Sequence, residues 1–306
     1  MRLRYLIIFF WIGITAGAQQ ASVVDKQLGF QHDNDLYFLS DQYYSQGTFF
    51  HFTHQLKKNF IFTHDEDFPL ELTYVLGHET HTPSEIKEED IDDIDRPYAG
   101  WTFVSARLSK PSALHLWQFQ TELGVTGEWS GARVLQQWYH DLIGSRDPTW
   151  ITQIENAVLF NLKTRYIKEF STRSQPDRPF LGLLTELSLG NKDLYVEQGL
   201  QLFVGERQNT AHSMRYGRIG NGVNELFGVF GASYRYVIHN ALLEGDWFQD
   251  PEVFTVTPNE SLLHFTAGIN HRHKRNHYRV VLHLLTQETA IQDGHAYLQV
   301  AYALNF

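Results

Sequence analysis

The chain has 306 residues, no cysteine, 14% aromatic residues and a formal net charge of −10 at pH 7. This composition excludes a disulfide scaffold, thiolate metal sites and a cysteine nucleophile, and the acidic balance argues against a nucleic-acid partner, which needs clustered Lys and Arg. No segment after the N-terminus approaches 18 consecutive apolar residues, so helical membrane spans are excluded; the mean hydropathy of −0.33 says little about a barrel, whose apolar residues alternate with polar ones.

The N-terminus sets the compartment. Met1 to Arg4 is basic, Tyr5 to Ile14 is apolar, and Ala16-Gly17-Ala18 supplies the small residues that a signal peptidase accepts. Residues 1–18 are read as a signal peptide cut before Gln19, and 19–306 as one exported domain. The apolar run falls short of the ~20 residues of a transmembrane helix.

Strand-like stretches then follow at 27–32, 46–54, 68–79, 98–109, 112–126, 157–170, 180–190, 194–205, 226–238, 261–271, 275–286 and 295–306. The alternation is plainest at the end of the chain. There Ala296, Leu298, Val300, Tyr302, Leu304 and Phe306 occupy one face, opposite Tyr297, Gln299, Ala301, Ala303 and Asn305. A period of two with one apolar face marks a half-buried strand, and a terminal aromatic on that face is the pattern expected of an outer-membrane barrel. Opposite faces carrying charges and amides suit a polar lumen. The expected fold is all-β: a transmembrane antiparallel β-barrel of about twelve strands, with a short helix in an extracellular loop. Lys110 to Ser112, Gly190 to Asp193 and His273 to Arg275 read as periplasmic turns. The longer intervals 80–97, 127–156, 206–225 and 239–260 read as extracellular loops.

Polar clusters interrupt this wall pattern. His32-Asp33-Asn34-Asp35 follows the first strand and offers oxygen ligands to a hard cation, or forms a solvated Asx-rich turn. Asp41-Gln42-Tyr43-Tyr44-Ser45-Gln46-Gly47 heads the second strand; Ser45 has no Gly-x-Ser-x-Gly elbow around it. Glu88 to Asp95 is an acidic run that reads first as a solvated loop, with divalent-cation binding as the alternative. Ala132, Leu135, Gln136, Tyr139, Leu142 and Ile143 recur at helical spacing and Gly144 stops them, so a helix is predicted over 132–143. His140 lies on that helix with Asp141 and Asp147 close behind. A His near an Asp can act as a general base, although chemistry alone does not select His140 among the chain's 16 histidines.

An ordered set of motifs does select it. Asn34-Asp35, Asp41-x-x-Tyr44-Ser45-x-Gly47, Gly77-His78-x-x-x-Thr82-Pro83 and Asp95-Arg96-Pro97-Tyr98-Ala99-Gly100-Trp101 come first. Leu123-Gly124-Val125-x-Gly127, Gln136-x-x-x-His140 and Trp150-x-x-Gln153-Ile154-Glu155-Asn156 follow in the same order. Over residues 28–160 this series resembles the lipid A deacylase family of the LpxR type; the second half matches only as barrel wall. The resemblance implies a twelve-stranded outer-membrane barrel of a Gram-negative bacterium that removes the 3′-linked acyloxyacyl chain of lipid A. It also implies dependence on a divalent cation, usually calcium, and an active site between the wall and a loop helix.

Carried over residue by residue, the family's essential Asn-Asp pair matches Asn34 and Asp35, and its catalytic His matches His140. Its strand-two Thr meets Ser45, which keeps the hydroxyl. Its loop Lys falls near Lys87, and its acidic residue after the His meets Arg146, with Asp147 adjacent. The expected chemistry is ester hydrolysis with His140 as general base. A cation held by Asp35, Ser45 and Asp147 would polarise the carbonyl, Asn34 and Lys87 would donate to the oxyanion, and Arg96 and Lys87 would hold lipid phosphates. The expected partners are lipopolysaccharide and the outer membrane, with a monomeric barrel and no nucleic acid. Three rivals stand beside this reading: a non-enzymatic or altered-substrate lipid-binding barrel, a phospholipase using Ser45 in a Ser-His-Asn arrangement, and a narrow porin.

Overall fold

In the computed structural model, residues 24–38, 40–63, 65–145, 147–171, 179–249 and 254–306 are described. The signal-peptide expectation and Arg146 fall outside them. Twelve antiparallel strands form one closed barrel in which every strand pairs with its sequence neighbours and β1 closes on β12. They are β1 Lys26–Asn34, β2 Tyr43–Gln55, β3 Glu71–Thr82, β4 Ala99–Pro111, β5 His115–Val125 and β6 Val158–Glu169, then β7 Phe180–Gly190, β8 Asp193–Glu206, β9 Glu225–Asn240, β10 Ser261–His273, β11 Asn276–Leu285 and β12 His295–Asn305. Closure removes the unpaired strand edges that an open sheet would expose to lipid.

Alternation sorts the side chains into two populations. Leu28, Phe30, Phe50, Leu76 and Val104 are exposed on the outside, as an apolar belt requires. The lumen is polar and cross-linked by ion pairs: Arg165–Glu186 at 2.5 Å, Arg235–Glu197 at 2.7 Å and Lys163–Glu122 at 2.9 Å. Burying charge is tolerable here because each of these groups meets its opposite.

Strand parity corrects two side assignments. The turn at Gly190–Asp193 lies at the same end as the long loops, beside residues 241–249; Ala241 N–H donates to Lys192 O at 2.9 Å. Segment 207–224 lies instead at the end that carries both barrel termini. Length suggested the opposite for each, but the number of preceding strands decides the side. Segment 207–224 folds inward and closes that mouth. Met214 and Tyr216 pack with Leu116, Ile167, Phe203 and Phe227. Arg218 pairs with Glu71 at 3.1 Å, and Asn305 Nδ2 donates to Ile219 O at 2.7 Å. The porin expectation needs an open lumen, and this plug obstructs it. At the other end a short helix, α2 (Ala241–Glu244), places Ala241 and Leu242 against Phe49, Trp101 and Phe103.

The helix predicted from spacing spans Ala132–Ile143 (α1). Gly144 ends it in the left-handed conformation, φ 69°, with its N–H on Asp141 O and the Ser145 N–H on His140 O, a closure that glycine adopts without a Cβ penalty.

Candidate active site

The outward face of β1 to β4 changes character along its length. Near the terminal end it carries Leu28, Phe30, Phe50, Tyr74, Leu76 and Val104. Toward the loop end the same alternate positions become His32 and Asn34, Thr48 and Gln46, His78 and Thr80, and Thr102. These polar groups bond to one another: His32 Nδ1 to Thr48 Oγ1 at 3.1 Å, His78 Nδ1 to Thr102 Oγ1 at 2.8 Å, His78 Nε2 to Thr80 Oγ1 at 3.1 Å. A polar patch on the lipid side of a barrel is costly, so its concentration on four adjacent strands marks a site on the outside of the wall.

Helix α1 lies over this patch. Gly100, at an outward position of β4, lets it approach: a Cβ there would stand 2.1 Å from Ser130 Oγ and 2.4 Å from Ala132 Cβ. Thr102 Oγ1 donates to Ser130 O at 2.7 Å and holds the start of the helix to the wall. The helix buries Ala132, Gln136 and His140, spaced one turn apart, and exposes Val134, Trp138 and Leu142, Trp138 at 60%. Its polar side faces inward and its apolar side outward. That polarity suits a helix seated at a lipid interface.

From α1 a hydrogen-bonded chain runs to the β1–β2 loop. Trp150 Nε1 donates to Gln136 Oε1 at 2.9 Å, Gln136 Nε2 to Asp41 Oδ1 at 3.3 Å, and His140 Nε2 lies 3.0 Å from Asp41 Oδ2. A carboxylate oxygen accepts, so this contact places a proton on Nε2 and, in the neutral ring, the basic lone pair on Nδ1. Tyr98 stacks on Trp150, ring centroids 4.8 Å apart, and donates to Ile86 O at 2.7 Å. Tyr43 and Trp150 adopt positive φ, 59° and 54°, a strained conformation for aromatic residues. Both lie next to this chain, and such strain persists only where the surroundings over-determine it.

Asp35 is buried just beyond β1 and accepts from Ser40 Oγ at 3.0 Å and Gln42 N at 2.9 Å. Despite those bonds, burial, with the Asp41 charge adding to it, pushes its carboxyl up to about 7. Ser45 is buried at a bulge, where the β2–β3 register shifts between Tyr44 and Gln46, a device that re-aims a side chain. Its carbonyl accepts from Asp35 N–H at 3.3 Å. Asn34 sits on the outward face opposite Gln46.

The structure thus gathers Asn34, Asp35, Ser45 and His140 at one corner of the wall. Lys87 and Asp147 are exposed in flanking loops. Arg96 is not at the surface: its side chain is fully buried and pairs with Glu288 at 2.9 Å, so it ties two loops together and does not reach out to lipid phosphates. Asp41 was not singled out by itself in the sequence; the one trace of its role is its place at the head of the Asp41-x-x-Tyr44-Ser45 motif. Among the described residues no three His, Asp or Glu side chains group closely enough to hold a metal ion. A hard cation at this corner would take mixed oxygen donors: the Asp35 and Asp41 carboxylates, the Ser45 hydroxyl and main-chain carbonyls, a donor set that fits calcium.

A family profile described as "Outer membrane protein LpxR" matches residues 5–306. No curated protein sequence matches the chain. The solved structure of LpxR from Salmonella typhimurium superposes with a TM-score of 0.78 at 18% identity, covering 92% of this chain and 100% of that one. Similarity to the COG4313 outer membrane channel from Pseudomonas putida F1 is far lower, with a TM-score of 0.47 at 11% identity over 96% and 100% of the two chains. The chain belongs to the LpxR family of outer-membrane proteins, the lipid A deacylase family that its ordered motifs resemble.

Proposed function

We propose that this barrel removes the 3′-linked acyloxyacyl chain from lipid A by cation-assisted ester hydrolysis with His140 as general base. The observation that carries the reading is the His140–Asp41 pair, seated under α1 on a polar patch of the outer wall. A lipid in the outer leaflet reaches such a site sideways, without entering the lumen, and the apolar outer side of α1 lies where its acyl chains run.

Asp41 accepts from His140 Nε2, so the imidazole takes a proton from water at Nδ1 and the carboxylate stabilises the imidazolium that forms. Gln136 and Trp150 hold Asp41 in place. Asn34 donates to the developing oxyanion, worth ~3 kcal/mol for a well-placed donor, and Lys87 is a second candidate from its exposed loop. Asp35, Asp41 and Ser45 would hold a calcium ion, with main-chain carbonyls completing the set; a bound divalent cation supplies Lewis-acid polarisation of the ester carbonyl. Mass spectrometry of lipid A from cells expressing wild type or His140→Ala tests the reading. Loss of one acyloxyacyl chain with the wild type only is expected, and unmodified lipid A with both would refute it.

A further inference from the structure

The lumen holds a second polar centre on the other side of the wall from the His140 corner. A cavity of about 410 Å³ lies against the inward-folded segment 207–224, within the size range of small-molecule sites. Five arginines line it, Arg107, Arg165, Arg215, Arg235 and Arg279, against two glutamates, Glu186 and Glu197, leaving an excess of three positive charges. The glutamates are already taken: Glu186 pairs with Arg165 and Glu197 with Arg235. Among the described residues, Arg107, Arg215 and Arg279 have no carboxylate within 4.0 Å. The Nε atoms of Arg107 and Arg279 are buried without a hydrogen-bond partner. The charge of Arg279 acts on both Arg107 and Arg215.

Three guanidinium groups without an ion-pair partner, of which Arg279 donates to the Gln31 amide oxygen at 3.2 Å, converge from β4, β11 and the plug. Such an excess of like charge is costly in a confined lumen. Among the described residues no carboxylate touches them: Asp33 acts on Arg279, and Glu71 and Glu186 act on Arg107, only from beyond ion-pair distance. Guanidinium groups pair best with the oxygens of carboxylates and phosphates. Several groups arriving from different elements match an anion with many oxygens better than a single planar carboxylate, which one arginine can fork. We propose that this cavity binds a small, soluble, phosphate-bearing polyanion. A lipid-borne phosphate is not the ligand, because the twelve strands pair all the way round and leave no lateral gap for an acylated headgroup. The bound polyanion would join the plug to the wall through Arg215.

The test uses the full-length mature protein in detergent micelles, titrated with pyrophosphate by calorimetry and thermal unfolding. Saturable one-site binding is expected, weakened roughly tenfold or more by Arg215→Gln and by Arg279→Gln. Arg215→Lys should retain most of it, and Lys110→Gln, exposed outside the lumen, should change nothing. In phosphate-free buffer Arg215→Gln should also raise the melting temperature, because one of the repelling charges is gone. Should Arg279→Gln fail to fold, Arg215→Gln decides alone, since Arg215 belongs to no strand. A pyrophosphate response no larger than that of sodium chloride at equal ionic strength, or one unchanged in Arg215→Gln, would overturn the proposal.

Discussion

His140 Nε2 stands 3.0 Å from Asp41 Oδ2 across a sequence gap of 99 positions, and nothing in the local spacing of either residue announces the pair. The contact joins the loop helix to the β1–β2 loop and gives the imidazole both an orientation and a tautomer. If His140 is the base, Asp41 acts through it. Asp41→Asn should then lower kcat roughly a hundredfold with KM little changed, because the amide can present its N–H to Nε2 and stabilise the wrong tautomer. Acyl-chain release from purified lipid A, followed against substrate concentration, separates the two constants.

Gly100 keeps α1 on the wall by having no side chain. Gly100→Val places methyl groups where Ser130 Oγ and Ala132 Cβ already stand within 2.4 Å of the added Cβ, so the helix must lift away. Activity should fall at least tenfold, while the barrel keeps its folded gel mobility without heating. Unimpaired release by this variant would mean that the seat of α1 does not matter to catalysis.

Chelation of divalent cations should reduce wild-type activity, and added calcium should restore it. Asp35→Asn should lower activity by roughly a hundredfold and should no longer respond to calcium, since the carboxylate is exchanged for a weaker neutral ligand. Activity titrated with calcium in both proteins checks this, and equal calcium responses would remove Asp35 from the ligand set.

The Arg96–Glu288 pair ties the β3–β4 loop to the β11–β12 loop. Burial raises the Glu288 carboxyl, but the Arg96 guanidinium, with His81 and His295 behind it, more than cancels that and holds it below its ordinary 4.5. A carboxyl whose folded pKa is depressed contributes stability above its unfolded pKa and loses it as pH falls through the folded value. Glu288→Gln leaves Arg96 buried and unpaired, and should cost about 3 kcal/mol at pH 7. Thermal unfolding compared at pH 7 and at pH 3 measures it: the gap between variant and wild type should narrow as the wild-type carboxyl protonates.

The strands were legible because lipid outside and polar lumen inside impose a period of two on every one of them. The predicted stretches 180–190, 194–205 and 261–271 fall within two residues of β7, β8 and β10. The helix over 132–143 was legible from spacing and the Gly144 stop. Which end a connection occupies was not, because length misled at Gly190–Asp193 and at 207–224, where an inward fold makes a long segment a plug. Arg96 looked like a surface cation for the same kind of reason: its motif shows charge, while its partner Glu288 lies 192 residues away. Asn34 and Asp35 stood out as part of a polar cluster, but Ser45 and His140 were reachable only through the ordered motifs, since a lone Ser or His in a chain of this composition signals nothing. Asp41 stayed hidden because its role exists only once the loop helix lies on the wall.

The central claim is that His140, at the outer wall, cleaves an ester of lipid A. Its most direct test is quantitative mass spectrometry of acyl chains released from purified lipid A by the wild type and by His140→Ala, each with saturating calcium and with chelator. The account predicts release of the 3′-linked acyloxyacyl chain by the wild type with calcium, and at least a hundredfold less in the other three conditions. Release by His140→Ala at the wild-type rate would contradict it.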